Sequence, residues 1–271
     1  MIYSLKSVTK CFRQSPEQVQ ALNGVTLGVQ PGELLAVLGQ SGAGKTTLFR
    51  LLNGTIRPTS GSVLFDGCDT ASLSSKGLRA MRRRVGTIYQ QHNLVPSLTA
   101  LENTFCGALG RMSFLATLRN ALQPAKSDVE RAMHTLESVG LADKWAARAD
   151  ELSGGQQQRL AAARVLMQSP DIILADEPTA SLDPELAESV TTLLAGLARD
   201  GRKTLIMAVH RVDLALRHFP RVLGMRAGSL SFDVPPSELH SDLLGTLYAQ
   251  QEGEPRHSDG NRFHYQLRCA R

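Results

Sequence analysis

The sequence predicts an α/β protein with a mostly parallel core sheet, on three observations. The short apolar runs "ELLAVLG", "DIILAD" and "KTLIMAVH" read as fully buried strands. Helical patterns such as "PELAESVTTLLAGLARD" stand between them. A glycine-rich turn, "GQSGAGKTT", joins the first of these strands to a helix. At 271 residues, 42% hydrophobic and 20% charged, the chain suffices for one large α/β domain with its own core.

In chain order, "SVTKCF" and "VTLGV" are β-like and Gln30 to Gly32 is a turn. Glu33 to Gly39 is a buried strand, and Thr46 to Asn53 a helix stopped by Gly54. "RPTSGSVLFDG" reads as a turn and strand, and "RRRVGTIYQ" as a further strand. From about 93 to 163 helical patterns dominate. In "SDVERAMHTLESVGL", Val129, Met133, Leu136 and Val139 to Leu141 fall at helical spacing, so this stretch reads as an insertion into the sheet. Strand texture returns at Asp171 to Asp176 and again at Lys203 to His210. Residues 1–250 are expected to form a single domain, and the polar, glycine-containing stretch 251–271 a loose tail.

Composition narrows the function. A net charge of +5 and a pI near 9.2 are only mildly basic. The run "RAMRRR", Arg79 to Arg84, has few aromatics interleaved, so it reads as a solvated face and no nucleic-acid partner is expected. Four scattered cysteines without a CxxC pair argue against a zinc site or a disulfide framework and fit a reducing cytoplasm. No secretory h-region opens the sequence, and no apolar run approaches a bilayer span, so any membrane role is expected to pass through a partner.

The glycine-rich turn matches G-x-x-x-x-G-K-[ST] through Gly39, Gly44, Lys45 and Thr46, between a strand and a helix. Such glycines let backbone N–H groups turn inward around a phosphate chain, and the helix N-terminus adds partial positive charge. Lys45 would reach the β and γ phosphates and Thr46 would ligate Mg²⁺. In "DIILADEPTASLD", Asp176 and Glu177 sit at the carboxyl end of a strand, where α/β sheets bind ligands. Asp176 would orient the metal and Glu177 would position and deprotonate water, with the carboxylates expected on a strand neighbouring the turn. The alternative is that Asp-Glu-Pro caps the next helix. In "ELSGGQQQRLAAARVLM", Ser153, Gly154 and Gly155 open a helix, either as a second phosphate site or, with Gln156, as a capping box.

Together "GQSGAGKTT", "LSGGQ", "ILADEPTASLD" and the Val209–His210 pair resemble the ATP-binding subunit of an ABC transporter over nearly the whole chain. That resemblance implies a P-loop NTPase of the ABC type, with an antiparallel β subdomain and an inserted helical subdomain beside the core sheet. It implies ATP and Mg²⁺ as cofactors. The nucleotide would be held by Gly39, Gln40, Ser41, Gly42, Ala43, Gly44, Lys45, Thr46 and Thr47, with adenine stacked on Phe12 in place of the usual Tyr. Gln90 would sense Mg²⁺ and couple to the membrane subunit, His210 would contact the γ-phosphate and support Glu177, and Asp183 would cross to the opposite subunit. In the family two such chains pair head to tail, so Ser153, Gly154, Gly155 and Gln156 would cover ATP on the partner. A permease, an indirect substrate-binding protein and the cytoplasmic face of the inner membrane complete the expectation.

Within that family, "ENTFCGALGRMSFLATL" and "HRVDLALRHFPRVLGMRAGSLSFD" look like the ATP-binding subunit of phosphonate importers, whose relatives handle phosphite or phosphate. There the switch histidine is often followed by Gln, whereas Arg211 stands here. The other readings are another importer, a lipoprotein-release system, or a soluble ABC ATPase. A P-loop GTPase or kinase is disfavoured by the absence of N-K-x-D and the presence of LSGGQ.

Overall fold

The computed structural model describes residues 1–14, 17–91, 93–112 and 125–248; the expected tail at 251–271 lies outside them. Six strands form the core sheet: β3 (Leu34–Leu38), β6 (Val85–Ile88), β7 (Ile172–Ala175), β8 (Thr204–Ala208), β9 (Arg221–Arg226) and β10 (Ser229–Val234). Their order is β10-β9-β3-β8-β7-β6, parallel except for β10 against β9. Central β3, β7 and β8 are buried along their whole length, which is why they read as unbroken apolar runs rather than alternating ones.

Alternation survives inside those runs as a choice between two cores. Leu34, Ala36, Ile173, Leu205 and Met207 face helices α5 (Gly154–Met167) and α6 (Pro184–Asp200). Leu35, Val37, Ile172, Leu174 and Ile206 face α1 (Lys45–Leu52) and a second, antiparallel sheet. That sheet, in the order β2-β1-β4-β5, is built from β1 (Tyr3–Gln14), β2 (Glu17–Val29), β4 (Ser60–Phe65) and β5 (Cys68–Asp69). The fully buried Tyr3 hydroxyl donates to the Leu52 carbonyl at 2.7 Å, tying the end of α1 to this sheet. Between β6 and β7 run α3 (Ala100–Cys106), α4 (Lys126–Ser138) and α5.

Four details differ from the sequence expectation. Arg82 to Arg84 belong not to a strand but to the end of α2 (Ser75–Arg84), and the strand begins at Val85. The arginine run is not simply a solvated face. Arg82 donates to the Gly54 carbonyl at 2.7 Å, and Arg84 bridges Asp66 at 2.9 Å and Asp171 at 2.6 Å. Gln90 and His210 stand two residues beyond the ends of β6 and β8, in connecting loops. Finally β7 is not adjacent to β3, because β8 lies between them. Periodicity identifies a strand but carries no information on sheet order, which non-local pairing sets.

Candidate functional site

Every expected catalytic group follows the carboxyl end of a parallel strand: Lys45 after β3, Gln90 after β6, Asp176 and Glu177 after β7, His210 after β8. Parallel pairing brings these ends to one edge of the sheet.

The turn after β3 is shaped by backbone constraints. Gly44, the residue before α1, has φ 101°, and Gly42 has φ 81°. A Cβ on Gly44 would lie 2.6 Å from the Ala21 carbonyl oxygen, and one on Gly39 would lie 2.5 Å from that of Met225. Because Gly44 offers no side-chain cap, the first N–H groups of α1 stay available for an anion. Gln40 anchors the turn from outside by donating to the Tyr248 carbonyl at 3.0 Å, and the Gly228 N–H donates to the Ala43 carbonyl at 3.1 Å. Ser41 and Gly42 are exposed, Ala43 is buried, and Thr47 is half-buried.

Lys45 is 3% exposed, and its ammonium is surrounded by oxygen. It donates to the carbonyls of Gly39 at 2.6 Å and Gln40 at 3.0 Å, and pairs with Glu177 Oε1 at 3.1 Å. The other carboxylate oxygen of Glu177 lies 2.7 Å from His210 Nε2. Glu177 itself has φ 50°, unusual for a side-chain-bearing residue, which turns its carboxylate back toward Lys45 and His210. Burial pushes its pKa up, but the His210 hydrogen bond and the Lys45 charge outweigh burial and hold it below the usual glutamate value.

Asp176 behaves oppositely. Its carboxyl is buried and its pKa is raised, chiefly by desolvation; a hydrogen bond from Thr46, Oγ1 to Oδ1 at 3.4 Å, only partly compensates. Two adjacent carboxylates thus have their proton affinities pushed apart, a mark of functional sites.

Ser153 and Gln156 form the reciprocal capping box. The Gln156 N–H donates to Ser153 Oγ at 3.4 Å, and the Ser153 N–H donates to Gln156 Oε1 at 2.9 Å. A Cβ on Gly155 would meet Leu186 at 2.3 Å, so this glycine permits α5 to pack against α6. Gly154 has ordinary space around it. The box is not bonded to the Lys45 cluster of its own chain among the described residues. Asp183 caps α6 by accepting from the Leu186 N–H at 3.0 Å. Phe12 lies on the β1–β2 hairpin opposite Val19, with the Lys10 ammonium 5.2 Å from its ring centre. Gln90 is exposed and not among the cluster's bonded groups.

Sequence reading missed Asn103 of α3. Fully buried, it donates to the carbonyls of Val95, Leu98 and Thr99 at 3.1 Å each and accepts from the Val95 N–H at 2.9 Å. It therefore pins the loop that follows Gln90. Arg164 of α5 also donates to the Asn93 carbonyl. A lone Asn in a helical pattern gives no sign of such a role, because its partners are backbone atoms.

Comparison with known proteins agrees with this geometry. Residues 22–180 match the ABC transporter family model. The chain is 44% identical to the phosphonates import ATP-binding protein PhnC of Alcaligenes faecalis over 233 residues, covering 86% of this chain and 84% of that protein. It is also 44% identical to PhnC of Thiobacillus denitrificans, covering 92% and 93%. Among solved structures it resembles a dimeric bacterial ABC transporter cassette with a TM-score of 0.77 at 32% identity, covering 86% of this chain and 98% of that one. The same cassette in a post-hydrolysis state bound to ADP and Pi gives a TM-score of 0.74 at 33% identity, again covering 86% and 98%. The chain, with its glycine-rich turn before α1, its adjacent carboxylates after β7 and its LSGGQ helix start, belongs to the ABC transporter family, as an ATP-binding ABC-type ATPase subunit.

Proposed function

We propose that this chain is the ATP-hydrolysing subunit of an importer for phosphonate or a related phosphorus oxyanion such as phosphite or phosphate. The observation that carries the ATPase role is the Lys45–Glu177–His210 cluster at one edge of the parallel sheet. The substrate class rests on the relatives' names and on 44% identity over most of both chains.

The proposed chemistry is in-line attack of water on the γ-phosphorus of ATP. Glu177, kept ionised by His210 and Lys45, accepts the water's proton. The β–γ bridging oxygen leaves with its electron pair on ADP. Lys45, sharing its donors with the phosphate, offsets charge on the transferring group, and His210 holds Glu177 at the attack position. Adenine would stack on Phe12, and residues 39–47 would wrap the phosphates. Asp183 and the Ser153–Gln156 segment would act across a head-to-tail homodimer, where Ser153 and the Gly154 and Gly155 amides would close on the partner's nucleotide.

The residues fit Mg²⁺. Thr46 and Asp176 offer hard oxygen donors side by side, and a cation there would offset the burial that raises the Asp176 pKa. Among the described residues no cluster of three or more His, Cys, Asp or Glu could hold a metal, so phosphate and water oxygens would have to supply the remaining ligands. Gln90 would join them when the loop closes. When bound, the ion would neutralise charge on the phosphates.

Among the described residues no helix is long and apolar enough to cross a membrane. As in an importer of this kind, a permease would supply the path and this subunit would sit at the cytoplasmic face of the inner membrane. A permease helix would dock beside the stretch after Gln90. A cavity of about 340 Å³ opens between α2, α3 and α5, lined by Arg79, Arg82, Arg83 and Gln168 among others. A substrate-binding protein would deliver the anion to that permease, never to this subunit. Residues 1–250 would form one ATPase domain, with 93–163 as its helical insert.

The test is to express tagged Glu177→Gln protein in its own host, add ATP, solubilise membranes gently and identify what co-purifies. A multi-helix permease with a phosphonate- or phosphite-type binding protein supports the importer. Recovery of DNA- or ribosome-associated proteins alone would remove the transport role and leave the ATPase.

A further inference from the structure

We propose that Arg211 is a positioning residue that couples the base Glu177 to Asp183, so that the two ends of the β7–α6 loop move together. The loop from Glu177 to Asp183, which leads into Pro184 of α6, carries the base at one end and the α6 cap at the other. Two consecutive residues of a different loop hold those two ends. His210 bonds the Glu177 carboxylate at 2.7 Å, and Arg211 Nη1 donates to the Pro184 carbonyl at 3.1 Å.

Arg211 is itself aimed. Its Nε and Nη2 fork onto the Asp213 carboxylate at 3.1 and 2.5 Å, leaving Nη1 directed at Pro184. Asp213 is the first acidic residue of α7 (Val212–His218) and also meets Arg217 at 3.9 Å. Arg217 and His218 in turn contact Glu188 of α6 at 3.3 and 2.8 Å. The β8–α7 loop is thus fastened to α6 on one side and to the base on the other. A displacement of Asp183 and Pro184 is passed through adjacent backbone to His210, and so to Glu177.

Stability alone does not account for this arrangement. The Arg211 and Asp213 side chains are 38% and 40% exposed, so solvent screens their pairing and its contribution to folding is small. What the fork supplies is direction. This inference rests on Glu177 being the base and on Asp183 facing a second subunit.

The test measures ATP hydrolysis, equilibrium ATP binding, the Hill coefficient for ATP and the melting temperature for wild type, Arg211→Ala, Arg211→Lys and Asp213→Asn. Loss of one aligned hydrogen bond corresponds to a kcat fall of about fivefold in Arg211→Ala. ATP affinity should stay within about twofold, and the Hill coefficient should fall from near two toward about one. Lys, which keeps a donor able to reach the Pro184 carbonyl, should recover at least about half of kcat. Asp213→Asn, which loosens the fork, should fall between wild type and Ala. Wild-type kcat and Hill coefficient in Arg211→Ala would overturn the proposal, as would a kcat loss matched by equal loss of ATP affinity or by a collapsed melting temperature. Undiminished hydrolysis in Glu177→Gln, measured alongside, would instead sink the underlying assignment of the base.

Discussion

Replacing Glu177 with Gln keeps the size of the side chain and removes its charge, and the geometry assigns two separable consequences. The first is chemical. A general base contributes about 10²- to 10⁴-fold, so steady-state phosphate release should fall by that factor while ATP binding persists. The second is structural. Glu177 pairs with Lys45, which is 3% exposed, at 3.1 Å. Breaking a buried pair costs about 3–5 kcal/mol when the remaining charge is stranded. Lys45 is not stranded, because the Gly39 and Gln40 carbonyls remain at 2.6 and 3.0 Å. Gln also keeps one acceptor oxygen, so about 1–2 kcal/mol is the appropriate figure. For a chain of this size that is a fall of about 2–8 °C in the melting temperature without nucleotide. The assays are phosphate release at saturating ATP, equilibrium ATP titration and thermal unfolding. Turnover within about threefold of wild type would refute the base, and an unchanged or raised melting temperature would refute the ion-pair argument.

Other perturbations act on the same structural features. Gly44→Ala places a Cβ 2.6 Å from a backbone oxygen at φ 101°. Strain and overpacking together should cost about 2–5 kcal/mol, and an unshifted urea midpoint would contradict this. Asp176→Asn should raise the nucleotide-free melting temperature at neutral pH while lowering Mg²⁺-dependent turnover at least about tenfold. The sign follows from its raised pKa: the ionised carboxylate is a cost above the folded value, relieved as pH falls through it, so the gain should vanish in acid. Glu177 runs the other way, contributing stability above the unfolded glutamate value that is lost as pH falls through its lowered folded value. Comparing the pH dependence of unfolding for the two variants checks both signs. Arg84→Ala removes the bridge between Asp66 and Asp171 and the contact 5.0 Å over the Phe65 ring. Because Arg84 is 38% exposed, the loss should be about 1 kcal/mol by urea unfolding.

Much of the candidate site's local geometry was legible in the sequence because its motifs are local. The spacing of Gly39, Gly44, Lys45 and Thr46 encodes a turn in which Gly44 adopts a φ that only glycine takes cheaply and Gly39 leaves no room for a Cβ, and Ser153 with Gln156 encodes a helix cap that closes within one turn. The buried strands were legible for a similar reason: a strand covered on both faces must be apolar throughout. What required tertiary structure was every relation between distant segments. The placement of β8 between β3 and β7, the convergence of Lys45 and His210 on opposite oxygens of one carboxylate, and the opposed pKa shifts of Asp176 and Glu177 all depend on sheet order and burial. So do the backbone-directed bonds of Arg82 and Arg211. A side chain that bonds a distant carbonyl has a partner present at every residue, so only the fold decides which carbonyl it meets.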